Sequence, residues 1–138
     1  FTTVRLFGGI RNLTGTSGTT IGYGVSYIFS NTYFQLNTWY QATMTHQWNS
    51  LLTRHELALY INGVLDSTTT YTPPAVGGIS YPINFFNTGP LYIAGPYPVG
   101  GNAIFTDINI GTTLMYNRAL SLPEIQQNFN ATRRRFGI

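Results

Sequence analysis

Cysteine is absent from this sequence. That excludes disulfides, thiolate metal sites and a cysteine nucleophile, but it leaves the compartment open. Lysine is absent as well, so every fixed positive charge belongs to arginine. Charged residues of both signs amount to only 8% of the chain, against about 25% in ordinary soluble domains. None lies between Arg11 and Arg54, and none between Asp66 and Asp107. Thr, Asn, Ser, Gly and Tyr carry the polarity instead, as in many extracellular, cell-surface and virion β-proteins. No apolar run reaches 18 residues, so no membrane insertion is expected. The net charge is +3, and three of the seven arginines are Arg133, Arg134 and Arg135. Without them the remainder balances at four Arg against four acids. A binder of the phosphate backbone needs a basic face, so nucleic acid is not the expected partner.

What is present is the punctuation of an all-β domain. Apolar residues make up 43% of the 138, and a chain of this length suffices for one domain with a real core. Gly and Pro separate short β-rich runs. Strands are expected at Thr2 to Phe7, Tyr23 to Ser30 and Trp39 to His46, with Tyr33 to Leu36 continuing or pairing with the second. Further strands are expected at Glu56 to Ile61, Val64 to Thr70, Leu91 to Ala94 and Ile104 to Asn117. Asn12 to Thr20, Gln47 to Arg54, Tyr71 to Pro90 and Tyr97 to Ala103 read as loops. A short strand at Ile83 to Phe86 could interrupt the third of these. Asn62-Gly63 between two β runs signals a tight hairpin, because both residues accept positive φ. Apolar residues on both faces of Leu57 to Ile61 suit an inner strand. Ser121-Leu122-Pro123-Glu124 is a capping box that opens the sole expected helix. Leu122, Ile125 and Phe129 share one face of it, and it should end near Ala131, leaving Arg133 to Arg135 as a tail. The first residue is Phe, and the N-terminus is expected to be internal to a longer polypeptide, with 1–138 as one domain.

Four features follow in a particular order: a Trp-led strand (Trp39-Tyr40-Gln41-Ala42-Thr43-Met44-Thr45), the hairpin Leu59-Tyr60-Ile61-Asn62-Gly63, the strand Leu91-Tyr92-Ile93-Ala94-Gly95, and the closing run Tyr116-Asn117-Arg118-Ala119-Leu120-Ser121 with Glu124-Ile125. In this order they resemble the concanavalin A-like lectin/glucanase superfamily, in its laminin-G-like form. The resemblance implies a jelly-roll sandwich of two antiparallel sheets with one short C-terminal helix. The sequence departs from the family at Asp107 and at Gly111-Thr112-Thr113, which interrupts the last strand. The ending Asn128 to Ile138 is similar to endings of phage and other virion proteins.

The superfamily includes glucanases, which need two close carboxylates. Here only Glu56, Asp66, Asp107 and Glu124 are available, in no paired pattern, so no catalytic residue is expected. A calcium site would need several anionic oxygens. Asp107 stands alone for that role, and no metal or cofactor is expected. His46 and His55 flank the loop Gln47 to Arg54 as solvent-facing residues. Loop aromatics beside amides could stack on a sugar and bond its hydroxyls. Trp48, Asn49, Tyr81, Asn84, Tyr97 and Asn102 are therefore the candidate glycan- or partner-binding residues. Arg133, Arg134 and Arg135 are the candidate assembly residues, facing carboxylates on a neighbour. The resulting expectation is a non-catalytic virion structural, decoration or fibre domain. It would contact other copies or other virion proteins and host glycans. The first alternative is an extracellular carbohydrate-binding module of a larger bacterial protein; the second is a glycoside hydrolase.

Overall fold

A computed structural model of the chain describes residues 5–12, 24–72, 97–99, 102–104 and 108–138. The strands are β1 (Phe7–Asn12), β2 (Gly24–Phe29), β3 (Ala42–Asn49), β4 (Arg54–Ile61), β5 (Val64–Tyr71), β6 (Tyr97–Val99) and β7 (Asn102–Ile104). One helix, α1 (Leu122–Phe136), closes the chain. All strand pairings are antiparallel: β1 with β2, the meander β3-β4-β5, and β6 with β7.

The meander is the best determined by its own sequence. Along β4, His55, Leu57, Leu59 and Ile61 are buried while the residues between them are half-buried. This is the period-two signature of a strand with one face on the core. Ile28 of β2 joins Leu57, Leu59 and Ile61 in that core, with Leu6, Phe34 and Tyr40 packed against it. Each such Leu or Ile contributes roughly 1.5–3 kcal/mol. The turn between β4 and β5 has Asn62 at φ 52° and Gly63 at φ 77°, the two left-handed residues of a type I′ hairpin.

The first described strand, β1, takes up the chain at the end of the alternating segment. Leu6 exchanges hydrogen bonds with Ser30, and the ladder with β2 then runs from Phe7 to Asn12 through Gly8-Gly9. Gly8 lies under the Met44 side chain: a Cβ on it would come 2.7 Å from Met44 Sδ, which would have to shift. Residues 1–4 lie outside the described residues, as do the expected strands at Ile83 to Phe86 and Leu91 to Ala94. Tyr97 to Ala103, expected as a loop, contributes the β6-β7 pair instead. The long last strand is not formed over Ile108 to Asn117, which has no ladder partner among the described residues. Gly111 of this segment lies against the helix, where a Cβ would come 2.6 Å from Phe136 Cζ.

Helix α1 starts where the capping box places it. Ser121 donates both its N–H and its hydroxyl to Glu124 Oε2, each at 2.8 Å, and Arg118 holds the same carboxylate. Leu120 and Ile125 are buried, but Leu122, expected on the face of Ile125, is exposed. The docked face instead runs Ile125, Phe129, Thr132 and Phe136, spaced as one helical stripe. Phe129 lies on Gly63, Thr132 bonds Gln41 Nε2, and Phe136 packs on Trp39. That stripe carries the helix five residues beyond Ala131. It ends at Gly137, φ 71°, with Ile138 N–H bonding the Arg133 carbonyl. This is a left-handed cap. Arg133 to Arg135 are thus the last helical turn, not a tail.

Candidate functional site

Among the described residues an open groove of about 520 Å³ lies between β2 and β5. Its geometry follows from a β-bulge. The β4-β5 ladder pairs Leu59 with Ser67 but Tyr60 with Leu65, so Asp66 is the extra residue. A bulge bends its strand and re-aims the side chain it carries. Here the Asp66 carboxylate points at the chain leaving β2, accepting from the Asn31 N–H at 2.6 Å, the Thr32 N–H at 2.9 Å and the Thr32 hydroxyl. The Asp66 carbonyl accepts from the Asn31 amide. Ser67 Oγ donates to the Phe29 carbonyl at 2.8 Å. Partial burial pushes the Asp66 carboxyl up, but the Thr32 hydroxyl, the Asn31 and Thr32 N–H groups and the charge of Arg5 outweigh it. Its pKa therefore falls below the usual value.

Two strands are thereby pinned side by side without a full ladder, and the gap between them is the groove. Phe29, 52% exposed, forms its apolar wall with Leu65. The Arg5 guanidinium lies 5.8 Å from the Phe29 ring centre and 5.6 Å from that of Tyr33. Thr68 and Thr69 supply neutral hydroxyl groups, beside Asn31 and Ser67, whose amide and hydroxyl already donate to the Asp66 and Phe29 carbonyls. An apolar ring beside neutral hydroxyls and amides is the chemistry that fits a sugar, whose ring has an apolar face and a hydroxylated rim.

A second cluster lies on the core face of the meander. The register sets Trp48 opposite His55, His55 opposite Tyr71, and His46 opposite Leu57. His46 Nε2 and His55 Nδ1 are 2.9 Å apart. The His55 ring is fully buried, 4.6 Å from the Trp48 ring and 6.1 Å from that of Tyr71. Its Nε2 has no partner among the described residues. Burial, then the neighbouring His46, lowers the His55 pKa to about 4, and burial lowers that of His46. The two histidines were expected to face solvent across a loop. They lie instead on paired strands, because β3 continues to Asn49 and the turn spans only 50–53.

Of the sequence candidates, Trp48 is half-buried against His55 rather than presented on a loop. Asn49 is committed to its own turn: Oδ1 accepts from the Leu52 N–H and Nδ2 donates to Glu56 Oε1. Tyr97 lies in β6 and Asn102 in β7. Tyr81, Asn84 and Asp107 lie outside the described residues. The groove residues Phe29, Asn31 and Asp66 were not candidates. The signal for them was an acidic residue inside a strand, where Asp is disfavoured unless it has a special task. No group of three or more metal-ligating side chains exists among the described residues.

Each described carboxylate is engaged. Arg54 and Asn49 hold Glu56 below the usual carboxylate range. Arg118, then the Ser121 N–H and hydroxyl, do the same for Glu124, more strongly.

A solved structure similar to this chain is that of an S-layer domain-containing protein from Clostridium thermocellum. It is 19% identical, with a TM-score of 0.51, over 83% of this chain and 59% of that one. The present chain thus spans well under two thirds of that structure, and at this identity the likeness speaks for the fold alone. None of the curated proteins matches. The family model described as the concanavalin A-like lectin/glucanase superfamily matches residues 8–126. The matched span takes in the antiparallel meander, the Asn-Gly hairpin and the start of the capped C-terminal helix, and the protein belongs to that superfamily.

Proposed function

We propose that this chain is a non-catalytic, extracellular carbohydrate-binding domain of a larger surface protein. The observation that carries this reading is the β2-β5 groove, which the half-exposed Phe29 lines together with Asn31, Ser67, Thr68 and Thr69. Membership of a superfamily that contains lectins supports it, but fold alone does not decide function. The carboxylates support the non-catalytic part. A glycosidase needs an acid whose pKa is raised toward neutrality, whereas hydrogen bonds lower those of Glu56, Asp66 and Glu124. The S-layer description of the structural neighbour supports a cell-surface setting over the virion setting that the C-terminal sequence suggested.

The test is a glycan array followed by calorimetry on the best ligand. Binding of a neutral glycan is expected, weakened roughly five- to tenfold by Phe29→Ala, the scale of one aromatic contact. Thermal melts would verify that the variant still folds. Absence of any glycan ligand, or binding indifferent to Phe29→Ala, would overturn the reading. Turnover of a polysaccharide that Glu56→Gln abolishes would overturn its non-catalytic part.

A further inference from the structure

We propose that the last turn of α1 is a second carbohydrate surface, selective for acidic polysaccharides. It shares no residue with the groove. The glycan-binding reading above suggests the ligand class; the site itself rests on separate observations.

The first observation is unbalanced charge. Arg54 pairs with Glu56 and Arg118 with Glu124, while Arg133, Arg134 and Arg135 have no acidic partner among the described residues. Successive helical residues are about 100° apart, so the three side chains fan around the arc that the docked stripe leaves free. All three are exposed.

The second observation is what holds two of these cations. The Arg133 guanidinium lies 5.8 Å from the Phe129 ring centre, and that of Arg135 lies 5.6 Å from the Phe136 ring centre. Such contacts restrain a flexible side chain and leave its planar fork open to an anion. Beside Phe136, at 5.0 Å between centroids, is Trp39, which is 40% exposed. Trp39 is therefore a partly open aromatic residue that shares the Phe136 ring with the Arg135 guanidinium. A pyranose stacked on Trp39 could place a carboxylate or sulfate on Arg135, and further acidic residues of the polymer on Arg133 and Arg134.

Nucleic acid fits less well. Three cations on one helical turn provide few of the phosphate contacts on which such binding depends. Arg54 and Arg118 are engaged with carboxylates, and Arg5 with the Ser30 carbonyl.

The experiment measures binding of the whole 138-residue chain to polygalacturonate, dextran sulfate, neutral dextran, polyglutamate and oligothymidylate at fixed ionic strength. The expected result is binding to polygalacturonate or dextran sulfate and none to dextran. The stronger of the two identifies carboxylate or sulfate as the recognised group. Arg135→Gln should weaken it about tenfold, as for loss of one charge-assisted bond, and the triple Arg133→Gln, Arg134→Gln, Arg135→Gln should abolish it. Arg135→Lys should fall between, since it keeps charge but loses the flat fork. Full binding by the triple variant would overturn the proposal, as would failure on both acidic polysaccharides. Equal binding to polyglutamate would show that charge suffices without sugar, and tighter binding to oligothymidylate would assign nucleic acid; either overturns it. Phe29→Ala should leave all these affinities unchanged, so loss of neutral-glycan binding at the groove and loss of this site are separate results.

Discussion

The meander and the end of α1 treat basic side chains in opposite ways. On the sheet, His46 and His55 are set into the core face, in contact with each other and with Trp48 and Tyr71. At the helix end, Arg133 to Arg135 stay outside, two of them leaning on aromatic rings. The difference lies in the proton. Imidazole can shed its charge near neutral pH, so burying it costs only a lowered pKa. Guanidinium cannot, and its desolvation would cost several kcal/mol. The fold therefore spends its titratable base inside and its permanent cations outside, where they also complement the helix dipole.

The most severe way to break that comparison is His55→Arg, which places a permanent charge among Trp48, Leu57 and Tyr71. A loss of about 3 kcal/mol or more is expected in urea unfolding, as for an uncompensated buried charge. An Arg variant as stable as the parent would mean that the site is not closed.

Acid should act on the same residues reversibly. The folded pKa of His55 lies at about 4, below the ordinary 6.5, and that of His46 is lowered too. For a base whose folded pKa is depressed, the unfolded chain binds the proton first. Stability is therefore full above about pH 6.5 and lost as the pH falls toward 4. The midpoint of chemical unfolding should drop across that window. His55→Leu, which keeps the apolar face, should flatten the drop.

Smaller effects belong to the helix. Ser121→Ala removes the hydroxyl that bonds Glu124 and should cost about 1 kcal/mol in a thermal melt, the usual value of an N-cap. Arg134→Gln leaves no packed ring and no ion pair. Only dipole complementarity is lost, so at most about 0.5 kcal/mol is expected. A larger loss would mean that the arginine run holds the fold together and is not chiefly a surface.

The sequence made the local parts of this molecule legible, and the reasons are local. Asn62-Gly63 names its turn because few residues tolerate two positive φ values in succession. Ser121 to Glu124 names a helix start through one reciprocal set of hydrogen bonds. The buried alternation of β4 is written in His55, Leu57, Leu59 and Ile61. What was hidden depends on distant partners. The ladder through Gly8-Gly9 shows only once β2 is laid beside it. Helix residues 132–136 look too polar to dock until Thr132 meets Gln41 and Phe136 meets Trp39. The bulge at Asp66, and with it the groove, exists only because residues 31 and 32 lie 34 or 35 positions away in sequence and alongside in space.

The contact of Phe129 with Gly63 has a consequence for the order of folding. The turn at Gly63 needs only its neighbours to form, and hairpins of this size assemble in about 1–10 μs. The helix reaches that turn from 66 residues downstream, and Thr132 reaches Gln41 across 91. Closing such long loops is slow because their entropy must be lost before the contacts repay it. The meander is then the earlier structure and α1 the latch that closes on it. A Phe129→Leu variant should accordingly unfold faster while refolding at nearly the parent rate, whereas Leu59→Ala should slow refolding; stopped-flow kinetics would reveal the reverse order if the helix docks first.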